Sequence, residues 1–524
     1  MENAVIHYLS GKLDNASALS NSQQKNLETL VQLSNTFHAK ADIRPGSGIT
    51  VSKKLCVLES GHQPNFLPYP GVWKKVFLLH RILEQLNSND REGIAVFGFA
   101  DQNLSTAKKL YENKVPAVNK QGNKKIGFNI QETEKWKCFN TINKPSKDKW
   151  EQELNNLKDH YFQYLPKDDT GSERLLNNID TLTEIMETCY SRANNIADLN
   201  AFIFARICQD VFDVNIHFFR YSDVQHDHLF MNEWKKILAS IPLYTTVYNE
   251  TIQEKKLHLT PASSDFFPFW YHCSCGIKVA LTTATVSGCW GTCPVCKTEF
   301  SLPLHSDDDH LAGLMKDMGL SAVARNVIFS EGLGTRLFIS GAGGSLRYGL
   351  IANEISRNLS LNIPITLSWQ SRDYYIGIIH MVALKDTLRL FNLKLKDLIT
   401  GPFDEKITNY RKSLQKHITK LNEDPENKEE IAKYTGLYRN TATQIHITKK
   451  LFSTIPSIID LLVNFNAPYV IHQWNDALNC AEIIDSGETI LLKHDIFYTQ
   501  DNVRDFSFNE IPRIYNSLDL INEL

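Results

Sequence analysis

The chain has 524 residues, of which 42% are hydrophobic, 10% aromatic and 22% charged, ordinary values for a globular protein with room for about three domains. Lys+Arg 56 against Asp+Glu 59 leaves a net charge of −3, which argues against a bulk-electrostatic nucleic-acid binder. Ten cysteines are too few for a disulfide scaffold, and no apolar run reaches the roughly 18–20 residues of a membrane helix. The stretch MENAVIHYLSGKLDNAS has neither the charged nor the apolar region of a secretory signal, so the expectation is a cytoplasmic protein without a membrane partner.

Residues 1–50 read as a polar helical lead-in (NSQQKNLETLVQLSNTF) that ends in the turn-rich RPGSG. KKLCVLES (53–60) is a short buried strand that runs into GHQPNFLPYPG and then a helix beginning near Val72. GIAVFGFA (93–100) is a second apolar strand ending on Asp101-Gln102-Asn103. Helices at 173–193 and 196–211 precede a strand in VNIHFFRY (214–221). Strands alternating with helices signal a parallel α/β sheet, in which ligands bind at the carboxyl ends of strands. The core is therefore expected over 51–261 and 303–380, with a helix near 307–318, a strand at 335–340 and a helix through LIANEISRNL. HSDDDH (305–310) looks metal-like but stands where that first helix starts, so a helix cap is the preferred reading.

Within 262–302 five cysteines fall together: Cys273, Cys275, Cys289, Cys293 and Cys296. C-x-C followed by C-x-x-C resembles a zinc ribbon, with Cys273, Cys275, Cys293 and Cys296 as ligands and Cys289 and His272 in reserve. Gly288 and Gly291 are expected to supply the turns around the second knuckle. Four thiolates close the coordination sphere, so the zinc is expected to be structural; a catalytic zinc would need an open position, which a substrate thiol could fill. Cys56, Cys138, Cys189, Cys208 and Cys480 are scattered and read as inert thiols.

Past residue 380 the pattern turns to long helices. Ile407, Leu414 and Leu421, then Ile431, Tyr438, Ile445, Phe452 and Ile459, recur every seventh position on either side of NEDPENKEE (422–430). Two heptad arms joined by a turn predict an antiparallel helical hairpin, a coiled coil over 381–465, with Pro456 kinking its second arm. It is either a domain packing on its own core or a homodimerisation arm. Residues 466–524 suggest a small β element.

Three loops could carry chemistry. Gly61-His62-Gln63-Pro64-Asn65 resembles the strand-end signature of class I nucleotidyl transferases, where imidazole and amide donors hold phosphates; His62 could equally cap the helix or satisfy a carbonyl. Gly341-Ala342-Gly343-Gly344-Ser345 joins a strand to a helix and suits phosphate or carboxylate binding, with Arg347 and Tyr348 one turn on; the alternative is a tight turn. Asp101, Gln102 and Asn103 suit ribose, amine or metal contacts, or a helix cap.

Taken in order, Ser60-Gly61-His62-Gln63, AVFGFADQN (95–103), FFRYSDVQ (218–225), ARNVIFSEGLGTRLFISGAGGSLRYG (324–349) and ALKDTLRLFNLKLKDLITG (383–401) resemble blocks of the bacillithiol biosynthesis cysteine-adding enzyme family. The resemblance runs over roughly residues 55–465. It implies a Rossmann-like, nucleotidyl-transferase-type core, an inserted module and a helical hairpin used for dimerisation. It also implies a reaction that joins cysteine to an amine-bearing sugar as an amide. Ser345 stands where the family has Glu, Asp101-Gln102-Asn103 replaces an acidic patch, and the zinc-ribbon insert and the 466–524 tail lie outside the family pattern.

The expected function is a C–N ligase that uses ATP and Mg²⁺ to activate a carboxylate such as that of cysteine for attack by a small amine. In it His62 and Asn65 hold phosphates, Asp101 positions the amine, and Gly61, Gln63, Gln102, Asn103 and the 341–345 loop bind substrate or nucleotide. The alternatives are a nucleotide-dependent transferase, an RNA-associated module using the ribbon with Lys53, Lys54, Lys74, Lys75 and the basic stretch 108–125, or a non-catalytic assembly protein.

Overall fold

The computed structural model describes residues 3–14, 18–46, 48, 50–165, 170–285, 288–303, 307–341, 343–394, 396–397, 403–424, 426–499 and 511–519. Its centre is a mostly parallel sheet, seven-stranded among the described residues. The spatial order is Glu482–Asp485, Thr489–Lys493, Ile365–Gln370, Thr335–Ser340, Cys56–His62, Gly93–Phe99, His217–Arg220. Only the edge strand Glu482–Asp485 runs antiparallel to its neighbour.

The sheet is buried on both faces, which is why its strands read as unbroken apolar runs. Leu58, Ala95, Phe97, Phe99 and Phe218 point into one core, while Val57, Ile94, Val96 and Phe219 point into the other. On the first face the helix Pro70–Ser88 lays Trp73 against Phe204 at 4.1 Å, and Phe204 stacks on Phe97 at 5.3 Å. The second face is covered by the helices Ala322–Leu333 and Gly344–Asn358. The lead-in is more than a lead-in: the helix Asn21–Ala41, closed at its start by a Ser20/Gln23 capping box, packs along His217–Arg220 and buries Leu27, Leu30 and Phe37.

The cysteine-bearing segment forms a second, antiparallel sheet in the order Met318–Leu320, Phe266–His272, Lys278–Thr285, Gly288–Thr292, Glu299–Pro303. It therefore runs past residue 302 and takes in a strand at 318–320 that the alternation had assigned to the core. At 305–310 only Asp307–His310 are described, and Asp307 caps the helix Asp308–Asp317 by accepting from His310 N at 2.8 Å.

The helices Phe403–Leu421 and Lys428–Phe452 pack side by side and antiparallel: Arg411 lies over Tyr438 and His417 meets the Tyr434 ring edge-on. Ile407, Leu414, Ile445 and Phe452 are buried within this chain, partly against the helix Ile378–Leu390, where Thr387 and Thr448 share a hydrogen bond of 2.8 Å. Pro456 does not kink the second arm. The helix stops at Phe452, and Ile459 and Leu462 belong to a separate helix, Ile458–Asn464. A residue before proline is pushed out of the helical region, so the turn ends upstream instead of bending.

The tail is likewise not a separate β element. Thr489–Lys493 pairs in parallel with Ile365–Gln370 and brings Glu482–Asp485 with it, and Ile496–Thr499 pairs with Asp373–Ile376. Residues 500–510 and 520–524 lie outside the described residues.

Candidate functional site: a cationic cleft beside a four-cysteine centre

From Cys56–His62 the chain moves outward to Gly93–Phe99 and His217–Arg220, then returns to the opposite side at Thr335–Ser340 and continues outward. Chain connections leave Cys56–His62 and Thr335–Ser340 in opposite directions, and such a switch point opens a crevice at the strands' carboxyl ends. The crevice here is a cavity of about 970 Å³. Gly61, His62, Gln63, Asn103, Gly341, Gly343, Gly344 and Tyr348, all singled out in the sequence, line it together.

Gly61 must lack a side chain: a Cβ there would stand 2.6 Å from Tyr221 Oη and 2.9 Å from Gly98 O. Gly343 supplies no side-chain cap to the start of the helix Gly344–Asn358, and a helix N-terminus favours an anion. Ala342 and the Ser345 side chain lie outside the described residues.

Other expected residues are placed elsewhere. Asn65 and Asp101 are buried and do not line the cavity. Asp101 accepts from Ser222 N at 3.2 Å, from Ser222 Oγ, and from Asn140 Nδ2 at 3.3 Å, so it fastens the start of the helix Tyr221–His226. Burial pushes its carboxyl up to about 6, against the pull of Ser222. Arg347 reaches away to His258 O at 3.1 Å. Gln102 contributes through its backbone, whose carbonyl accepts from Lys278 Nζ at 3.1 Å.

The chemistry of the cleft is set by three cations, of which the sequence pointed only to Lys75, and then as part of a basic surface for RNA. Lys75, on the helix Pro70–Ser88, is 4% exposed and donates to Gly61 O at 3.0 Å. Burial, then the charge of Arg325, pushes its pKa down to about 7. Lys278 comes from the second sheet, with its amine 5.5 Å from the Trp270 ring centre, and burial pushes it down to about 8. Arg325, on the helix Ala322–Leu333, stacks over Tyr221 at 4.6 Å. Lys74 and Lys75 carried a signal: both fall within WKKVF, a helical stretch apolar on either side, where a lysine needs a reason to be buried. Lys278 and Arg325 had none, because only the fold brings them together.

His62 is neutral here. Its Nδ1 faces Gln63 O at 2.9 Å and so carries the proton, while burial, then the charge of Lys75, pushes its pKa down to about 3. That tautomer leaves Nε2 an acceptor, unsuited to donating to a phosphate oxygen. Among the described residues no carboxylate lines the cavity, so the protein offers Mg²⁺ no acidic ligand there. Tyr248, Phe266 and Trp270 form an aromatic wall.

Of the other lysines considered for RNA, Lys125 pairs with Glu112, and Lys74 pairs with Asp373 at 2.9 Å in the core.

The cysteine centre adjoins this cleft. The thiol sulfurs of Cys273, Cys275, Cys293 and Cys296 all lie within 4.8 Å of one another, with Cys273–Cys296 at 3.5 Å and Cys275–Cys293 at 3.6 Å. A tetrahedral ion with bonds of about 2.3 Å separates its sulfurs by about 3.8 Å, so the four could hold a metal ion such as zinc. Each knuckle turns on a left-handed residue, Gly276 (φ 87°) in the first and Lys297 (φ 61°) in the second. Gly288 and Gly291 do not make the turn; they lie in the strand Gly288–Thr292, where Gly291 admits the backbone of Ala280. Cys289 is buried in the second core, with burial pushing its thiol up to about 12, and the His272 ring packs on Gly319. Of the other thiols, Cys56, Cys138, Cys189 and Cys208 are buried and Cys480 is exposed.

Compared with known proteins, the chain matches no family model and no curated sequence.

Proposed function

We propose that the chain is a nucleotide-dependent C–N ligase on a Rossmann-like core, joining an amino acid such as cysteine to a small amine-bearing substrate. The observation that carries this reading is the convergence of Lys75, Lys278, Arg325 and a helix N-terminus at the switch point of the parallel sheet. In chain order its parallel strands lie 3-2-1-4-5-6, the arrangement of dinucleotide-binding folds.

A carboxylate resists amine attack because oxide is a poor leaving group. In the proposed reaction a carboxylate oxygen attacks a phosphorus of ATP and expels ADP or pyrophosphate. The amine nitrogen then bonds to the acyl carbon, the C–O bond to phosphate breaks, and the amine gives up a proton. The three cations hold the phosphate oxygens, whose charge grows as the P–O bond breaks. Tyr248 and Phe266 offer faces for a base or sugar. His62, as an acceptor at Nε2, orients the amine through its N–H, in place of the phosphate role first expected of it. The cysteine centre is a structural metal site for the wall that carries Lys278.

The test is nucleotide consumption by the purified chain with ATP, cysteine and an amino sugar. The expected result is cleavage that depends on the amino acid and yields a product of the summed masses less one water. Absence of amino-acid-dependent cleavage, together with absence of nucleotide binding, would overturn the proposal.

A further inference from the structure

We infer that the four-cysteine centre, holding a thiophilic divalent ion such as zinc, is a positioning element of the cleft and sets Lys278 against the bound anion. The inference rests on the anion-binding reading of the cleft and is independent of the ligase chemistry.

Cys273 and Cys275 close the turn that delivers Lys278: Gly276 N donates to Cys273 O at 2.8 Å and Cys273 N to Ile277 O at 2.9 Å. The same turn is fastened to the core segment 136–140. Cys138 N donates to Gly276 O at 2.9 Å, Lys278 N donates to Trp136 O at 3.3 Å, and Lys137 bridges to Ile277. That segment in turn holds the loop after Gly93–Phe99: Phe139 N donates to Asn103 O and Asn140 N to Asp101 O, both at 2.9 Å, and Leu104 bridges to Cys138. Lys278 Nζ closes the circuit on Gln102 O at 3.1 Å. Sulfur cluster, knuckle and cleft floor are thus one hydrogen-bonded unit.

Gly276 sits at positive φ and Cys296 is exposed, and the apolar cluster beneath the turn has only Cys273, Ile277, Val279 and Cys293 as its buried members. Four metal–thiolate bonds would tie the sulfurs of Cys273 and Cys275 directly to the opposite knuckle; without them the turn loses that anchor and Lys278 its fixed approach to the cleft.

The experiment is calorimetric titration of inorganic pyrophosphate into the full chain. It compares wild type with Lys278→Met, each metal-loaded and after chelation, with Cys296→Ser as a second route to metal loss. Metal loss is expected to weaken pyrophosphate binding to the wild type by roughly tenfold or more, the worth of one charge-assisted contact. Lys278→Met should bind as weakly when loaded and lose nothing further on chelation. Lys278 should also resist an amine-acylating reagent in the loaded wild type and react after chelation. An equal loss in both proteins would place the metal's effect on the whole fold and overturn the inference, as would unchanged affinity after metal removal. No binding to the loaded wild type would instead remove the anion-binding reading itself.

Discussion

Lys74 and Lys75 are adjacent, both buried, and in opposite circumstances. Lys74 meets Asp373 at 2.9 Å and Ser371, and Asp373 is further held by Tyr498 Oη at 2.9 Å. Lys75 has Gly61 O at 3.0 Å and faces Arg325 and Lys278 across the cavity. Lys74→Met leaves Asp373 buried without its cation and should destabilise the fold by about 3–5 kcal/mol. Lys75→Met removes a buried charge that no carboxylate pairs with among the described residues. It should raise stability by about 1–2 kcal/mol while weakening pyrophosphate binding at least tenfold. Denaturant midpoints and calorimetry read both effects.

The pH dependence follows in sign. In the empty cleft Lys75 and Lys278 give up protons near 7 and 8, against an ordinary 10.5, and an anion binds the charged forms. Pyrophosphate affinity should be full below pH 7 and fall through 7 to 8 and above, with protons taken up on binding near neutrality. Flat affinity from pH 6 to 9 would exclude these amines as ligands. The stability penalty of Lys75 runs the same way: it is full below pH 7, where both folded and unfolded forms are charged, and fades toward 10.5.

Among the elements, periodicity made the central strands and most helices legible, because burial on two faces or one writes itself into residue spacing. Strand-end loops were legible for the same reason: glycines and amides after an apolar run mark the carboxyl edge where ligands bind. What spacing could not show is which distant segments meet there. Arg325 and Lys278 lie 47 residues apart by number (325 − 278), one on a helix and the other on the second sheet, and Asp101 reads as a ligand residue because its partner Ser222 is remote in sequence. Asp101→Ala should cost about 1–3 kcal/mol by stranding Ser222, yet leave pyrophosphate affinity within a few-fold of wild type. A large loss of affinity with unchanged stability would return Asp101 to the binding site.

Across the whole molecule, segments beyond residue 480 complete the core. The tail covers Ile365–Gln370, and the helix Ile511–Asp519 packs on the hairpin helices. Removing residues 482–524 would bare a long inner strand as an edge, so the truncated chain should aggregate where the intact one elutes as a single species. The heptad positions Ile407, Leu414, Ile445 and Phe452 are buried within the chain.

In the proposed function, three cations from three separate elements form a single site for a phosphate-bearing nucleotide. Calorimetric titration of ATP into the intact chain and into a Lys75→Met/Arg325→Met double variant tests it most directly. One ATP per chain should bind, with affinity reduced roughly a hundredfold or more in the variant, two charge-assisted contacts being lost. Equal affinity in the two proteins, or no binding to the intact chain, would contradict it.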